Sequence, residues 1–143
     1  MNQVELQKMA EERLKDARAL LDGGRWEFAY YATGYAVECG LKSCILARMI
    51  HTGSVFEEKW DARVCLEHRF AKLVHVAGLT DQLNDQLKAS AAANGELAAN
   101  WNTAEKWTVT SRYEVKTEHE ARALFASIAD APNGVLEWIR KYW

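Results

Sequence analysis

RWEFAYYATGYAVECGLKSCILARMI, Arg25 to Ile50, is the stretch whose reading decides the fold. It contains no proline. Its apolar side chains recur at helical spacing, with Phe28, Tyr31, Tyr35, Cys39, Leu41, Ile45 and Met49 interleaved with Ala29, Ala32, Ala36 and Val37. Apolar residues at that period on more than one face predict a buried central helix. Gly34 and Gly40 each cost about 1 kcal/mol relative to alanine inside a helix, so a neighbouring backbone is expected to come close at those two turns. Other helices must then wrap this one.

Upstream, Leu6, Met9, Ala10, Leu14, Ala17, Leu20 and Leu21 form one apolar stripe, which predicts an amphipathic first helix with Asn2 as its cap. Asp22-Gly23-Gly24 ends it, and a tight antiparallel hairpin with the central helix follows. Downstream, His51-Thr52-Gly53 reads as a stop, and Ser54-Val55-Phe56-Glu57 has the spacing of a capping box for one short turn. A third helix is expected from about Val64 to Val76, carrying His68 and His75 and closed by Gly78. A fourth, capped by Thr80 or Asp81, weakens at Asn94-Gly95, and a fifth runs through Leu97 and Trp101. From Trp107 to Lys116 the β-branched residues lack helical periodicity and suggest an extended or irregular link. Thr117-Glu118-His119-Glu120 is a second capping box opening the last helix, which Pro132 should kink or split.

At 143 residues, with one proline and 49% apolar residues, the chain fits a single all-α domain covering residues 1–143. A net charge of -2 and a pI near 6.1 exclude a bulk basic field that draws in nucleic acid, so any RNA contact must be local. Cys39, Cys44 and Cys65 are an odd set without Cys-x-x-Cys spacing. With no hydrophobic leader at the start, they point to a reducing cytoplasm and against disulfides. Glu38, Lys42 and Arg48 in the longest apolar helix argue against a membrane span. No glycine-rich phosphate loop, nucleophile elbow or zinc-protease motif occurs, which removes support for kinase and hydrolase readings. His51, His68 and His75 lack a third ligand at metal-like spacing, so neither a metal nor a cofactor is expected.

Arg13-Leu14, Ala17, Leu20-Leu21-Asp22 and Gly24, followed by Trp26-Glu27-Phe28-Ala29-Tyr30-Tyr31, Gly34-Tyr35-Ala36-Val37-Glu38 and Leu41-Lys42, resemble the first two helices of the HEPN family, helical nucleotide-binding domains of prokaryotes and higher eukaryotes. His68 to Leu73, Ala77-Gly78-Leu79, Trp107, Ser111-Arg112-Tyr113 and Trp138 follow in the family's order. The resemblance implies an up-and-down helical bundle of about five helices and a homodimer. It also implies a setting among toxin-antitoxin or defence modules, with a small nucleotidyltransferase as a possible protein partner. Many members are metal-independent ribonucleases that use an arginine, four to six intervening residues and a histidine; here Arg112 and His119 enclose six. Tyr113 stands where those nucleases usually carry a polar residue.

Three functions stay open on this reading: a nucleotide- or RNA-directed binding module, an endoribonuclease, and a non-catalytic scaffold for a protein partner. In the nuclease, His119 would move a proton at a ribose 2'-hydroxyl or the leaving oxygen while Arg112 steadied charge on the phosphate. The bland alternative has Arg112 holding the link to the last helix and His119 as a polar first-turn residue. Arg112, Tyr113, Glu38 and Lys42 are the candidate nucleotide or RNA contacts. Glu38 and Lys42, four apart, also suit an internal polar anchor, with Lys42 or Arg112 offsetting the desolvation of the carboxylate. Tyr30, Tyr31 and Tyr35 suit core and dimer packing better than base stacking, since no basic residues are interleaved with them.

Overall fold

A computed structural model of the chain describes residues 1–52 and 62–143. The capping box expected at Ser54 to Glu57 lies outside the described residues. The described residues form seven α-helices and two 3₁₀ turns, with no strand: α1 (Gln3–Asp22), α2 (Trp26–Thr52), a 3₁₀ turn (Ala62–Leu66), α3 (Phe70–Val76), α4 (Thr80–Ala92), α5 (Glu96–Ala104), a second 3₁₀ turn (Val109–Tyr113), α6 (Glu118–Ala129) and α7 (Val135–Ile139). The all-α expectation holds, and the expected five helices become seven. The breaks that raise the number fall where the residues place them and have local causes. Gly78 at φ 72° turns the chain between α3 and α4, and Asn94 at φ 53° turns it between α4 and α5. The Pro132 to Gly134 turn separates α6 from α7.

Asn2 caps α1 as expected: its Oδ1 accepts from the Glu5 amide at 2.9 Å, and the Glu5 carboxylate accepts from the Asn2 amide at 2.8 Å. After Asp22 the Arg25 amide reaches back to the Leu20 carbonyl at 2.8 Å, and Gly24 takes φ 71°, so the chain reverses within three residues. That reversal lays α2 antiparallel to α1. The central helix packs against α1, α3, α6, α7 and the Val109–Tyr113 turn, and buries most of its middle from Ala29 to Ile45. Phe28 departs from the expected apolar set, being 65% exposed.

The close approach expected at Gly34 and Gly40 is present, but the visitors are side chains rather than backbone. A Cβ on Gly34 would stand 2.2 Å from the Trp107 indole, and one on Gly40 would stand 3.0 Å from Ile139 Cγ2. Trp107 is held there by a parallel stack on Phe70, centroids 5.2 Å apart, and by Tyr31 at 6.0 Å. On the far side of the core Trp138 meets Trp101 edge-on at 5.4 Å. The chain end is tied to α1 by Arg140, whose guanidinium donates twice to Glu11 at 2.8 Å and also bonds Glu137.

Two boundaries differ from expectation. Helix α3 begins at Phe70, so His68 lies in the loop ahead of it rather than on the helix. Neither Thr80 nor Asp81 caps α4: Leu79, buried at 7% exposure, occupies the cap position without a side-chain bond, because burial of its apolar side chain fixes where the helix starts. The Trp107 to Lys116 link is not wholly irregular, since Thr108 and Ser111 close a capping box on the Val109–Tyr113 turn.

Candidate nucleotide or RNA site

Glu38 is the most buried charged residue of α2, at 1% exposure. A carboxylate in that position is tolerated only if both oxygens are satisfied. Oε1 accepts from Lys42 Nζ at 2.7 Å, one turn along the helix, and Oε2 meets His68 Nδ1 at 2.9 Å. His68 is presented by the loop ahead of α3. The Glu67 carboxylate accepts from the amides of His68 and Arg69 and from the Arg69 guanidinium. The Arg69 side chain foremost, against a smaller opposing effect of burial, holds the Glu67 carboxyl down to about 2. The anchor partner is thus His68 together with Lys42, and Arg112 lies elsewhere. Residue type gave a hint, because an acid inside so apolar a helix needs a partner. Nothing in the spacing singled out a histidine thirty residues away. On its open side the Glu38–Lys42 pair borders an apolar pocket of ≈ 350 Å³ lined by Leu6, Met9, Tyr35, Cys39 and Ile45.

Arg112 and Tyr113 end the second 3₁₀ turn, whose position is set by Trp107 seated against Gly34. The Arg112 guanidinium is exposed and lies 4.9 Å from the centroid of the Tyr113 ring, with Tyr31 beside it. The nearby Tyr113 oxygen foremost, and then that of Tyr31, hold the guanidinium above its ordinary value. Tyr113 itself is 78% exposed. The chain then runs on extended to Thr117, which caps α6 by accepting from the Glu120 amide at 3.2 Å, as the sequence predicts.

His119 falls in the first turn of α6 and lines a cavity of ≈ 420 Å³ with Tyr30, Thr103, Lys106, Lys116 and Glu120. Lys116 Nζ stands 4.6 Å from the Tyr30 ring centroid and bonds Glu114 at 2.8 Å. Arg112 is not among the residues lining that cavity. The two members of the Arg-x6-His pattern therefore attend adjacent residues of α2: Arg112 sits at Tyr31 and His119 beside Tyr30, whose side chains diverge by about 100° around the helix. Helix continuity does not bring them together, because Glu114 to Thr117 separates the 3₁₀ turn from α6. Lys106 and Lys116, which give this cavity its cationic character, carried no signal in the sequence. Among the described residues no group of three or more His, Cys, Asp or Glu could hold a metal, and no helix is long and apolar enough to cross a membrane.

The described residues thus form an all-α bundle around one buried helix, with Arg112 and Lys116 set against tyrosine rings. The family description "HEPN domain" matches residues 4–142, and the chain belongs to the HEPN family. No curated protein and no solved structure matches it significantly.

Proposed function

We propose that this protein is a nucleotide- or RNA-directed binding module of the prokaryotic toxin-antitoxin or defence type, acting in the cytoplasm as a homodimer of single-domain chains. The observation that carries the reading is the setting of cations against tyrosines beside α2: Arg112 over the Tyr113 ring, and Lys116 on Tyr30 beside His119 and Lys106. These cations offer charge to phosphates and the exposed Tyr113 ring a face to a base, while Tyr30, 6% exposed, packs in the core, on a chain whose net charge is otherwise negative. Glu38 and Lys42 act as an internal anchor rather than as ligand contacts, since the Glu38 carboxylate is 1% exposed and both its oxygens are taken, by Lys42 and by His68.

Metal-independent cleavage by Arg112 and His119 is the second reading. It is favoured by one observation, the placing of the His119 imidazole in a cavity with two lysines, where a phosphate can lie within its reach. It requires Arg112 to be supplied to that cavity, which a second protomer can do. The test is binding and cleavage of a mixed single-stranded and structured RNA pool in excess chelator, by the parent chain, Arg112→Ala and His119→Ala. Binding without cleavage, weakened in both variants, is the expected result. Chelator-resistant cleavage lost in both variants replaces it with the nuclease. No binding by the folded dimer refutes both, and leaves the scaffold for a protein partner, such as a nucleotidyltransferase, as the function to pursue.

A further inference from the structure

Between α1 and α2, on the outer side of the hairpin, runs a groove of ≈ 520 Å³. Its α2 wall is aromatic: Phe28, Tyr31 and Tyr35 follow one another at helical spacing with Ala32 between them. The tyrosine rings are parallel to within 7°, centroids 6.0 Å apart, and Phe28 stands 65% exposed with nothing over it. The rim is basic. Arg13 on α1 and Arg25 at the turn line the groove, with Asp16 as the sole acid of the lining. Arg13 is held in place by Asp16, Nη1 to Oδ2 3.0 Å, and keeps 42% of its side chain exposed at the groove rim.

An exposed aromatic wall with two arginines and one acid in its lining suits a ligand that is flat and apolar at one end and anionic at the other. From this geometry we infer that the α1–α2 groove is a second binding site, which takes a nucleobase against Phe28 and Tyr31 and its phosphate against Arg13 and Arg25. This rests on the nucleotide-directed reading above and extends it to a surface outside the Arg112–His119 region. The two surfaces adjoin: Tyr31 lines the groove and lies beside Arg112, so a strand leaving the groove past Tyr31 meets Arg112 and the exposed Tyr113 ring next. The same chemistry is offered by a free mononucleotide and by one unpaired nucleotide of a single strand. Only the strand would use the groove and Arg112 together.

The test uses the full chain and two probes, adenosine 5'-monophosphate followed by calorimetry and a fluorescent single-stranded RNA decamer followed by anisotropy over a salt series. Phe28→Ala, an exposed position, should weaken decamer binding about tenfold, the loss expected for one stacked base. Arg13→Gln and Arg25→Gln should each weaken it and lower the slope of log affinity against log salt by about one. Monophosphate binding that Phe28→Ala also weakens assigns the groove to free nucleotide as well as strand; a decamer effect alone assigns it to the strand. Parent-like affinity and salt slope in all three variants, with binding still weakened by Arg112→Ala, overturns the groove and leaves the Arg112 reading intact. A parent chain that binds neither probe overturns both. If Phe28→Ala instead turns a dimer into monomers in sedimentation without changing affinity per chain, the face belongs to a second copy and the nucleotide site is refuted.

Discussion

Replacing Gly34 by alanine tests the link between the central helix and the candidate site. The added methyl would lie 2.2 to 2.3 Å from three indole atoms of Trp107, whereas carbon atoms rest at about 3.5 to 4.0 Å. The ring must therefore retreat by more than 1 Å, roughly the difference between those separations. It has little freedom to do so, stacked on Phe70 on one side and against Tyr31 on another, and 4% exposed. Overpacking of this kind costs about 1 to 3 kcal/mol, and a clash with a pinned ring belongs at the upper end. Alanine's better helix propensity returns about 1 kcal/mol. The net is a destabilisation of about 2 kcal/mol, or a fall in Tm on the order of 6 to 10 °C for a chain of this length. Gly40→Ala is the control. Its methyl would stand 3.0 Å from Ile139 Cγ2 and at ordinary contact with Leu136 and Trp143, at 3.4 and 3.5 Å, and the propensity gain should leave it within about 1 kcal/mol of the parent. Urea unfolding of parent, Gly34→Ala and Gly40→Ala measures both differences. Because Trp107 leads directly into the turn bearing Arg112, Gly34→Ala should also weaken RNA binding under conditions where it remains folded. A Gly34→Ala protein as stable as Gly40→Ala would refute the close-packing argument.

Other perturbations follow from the same contacts. Glu38→Ala should lower stability by about 2 to 3 kcal/mol, below the full value for a buried pair because Lys42 and His68 are partly exposed; unchanged thermal melting would remove the anchor. Thr117→Ala should cost about 1 kcal/mol by removing the α6 cap, and an unaltered melt there would mean that the Glu120 half of the capping box suffices. Burial pushes the Cys39 thiol up to about 11 and the Cys44 thiol up to about 12. Their folded values exceed the unfolded ones, so the stabilisation is fully present below about pH 9 and is lost as pH rises through 11 to 12. Urea midpoints should fall over that window and fall less in Cys44→Ala, while neither thiol reacts with a disulfide reagent at pH 8 until the protein unfolds.

The helical class, the α1–α2 hairpin and the Thr117 cap of α6 were legible because each is written in neighbouring residues: a periodic stripe, a Gly-Gly stop, a Thr-x-x-Glu box. The Pro132 break was legible for the same reason, and the family followed from the length of the shared pattern. Boundaries set by distant packing were harder to read. Leu79 took the α4 cap position from Thr80 because its side chain is drawn into the core, and no local rule ranks a leucine there. At the site, sequence spacing brought Arg112 and His119 into one motif, yet an extended link places them on different sides of a turn of α2.

The residues alone therefore determined what short-range chemistry decides: a long apolar helix at the centre, its flanking stops and caps, an acid in that helix in need of a partner, and the family pattern. Only the tertiary structure decided which groups meet across the chain. His68 reached Glu38, Trp107 filled the space that Gly34 leaves, and Phe28 remained at the surface above a groove with basic edges. The reason is physical. Helix periodicity and capping act over three or four residues, whereas the pairing of a buried charge and the fit of a ring into a gap depend on the packing of elements that sequence leaves far apart.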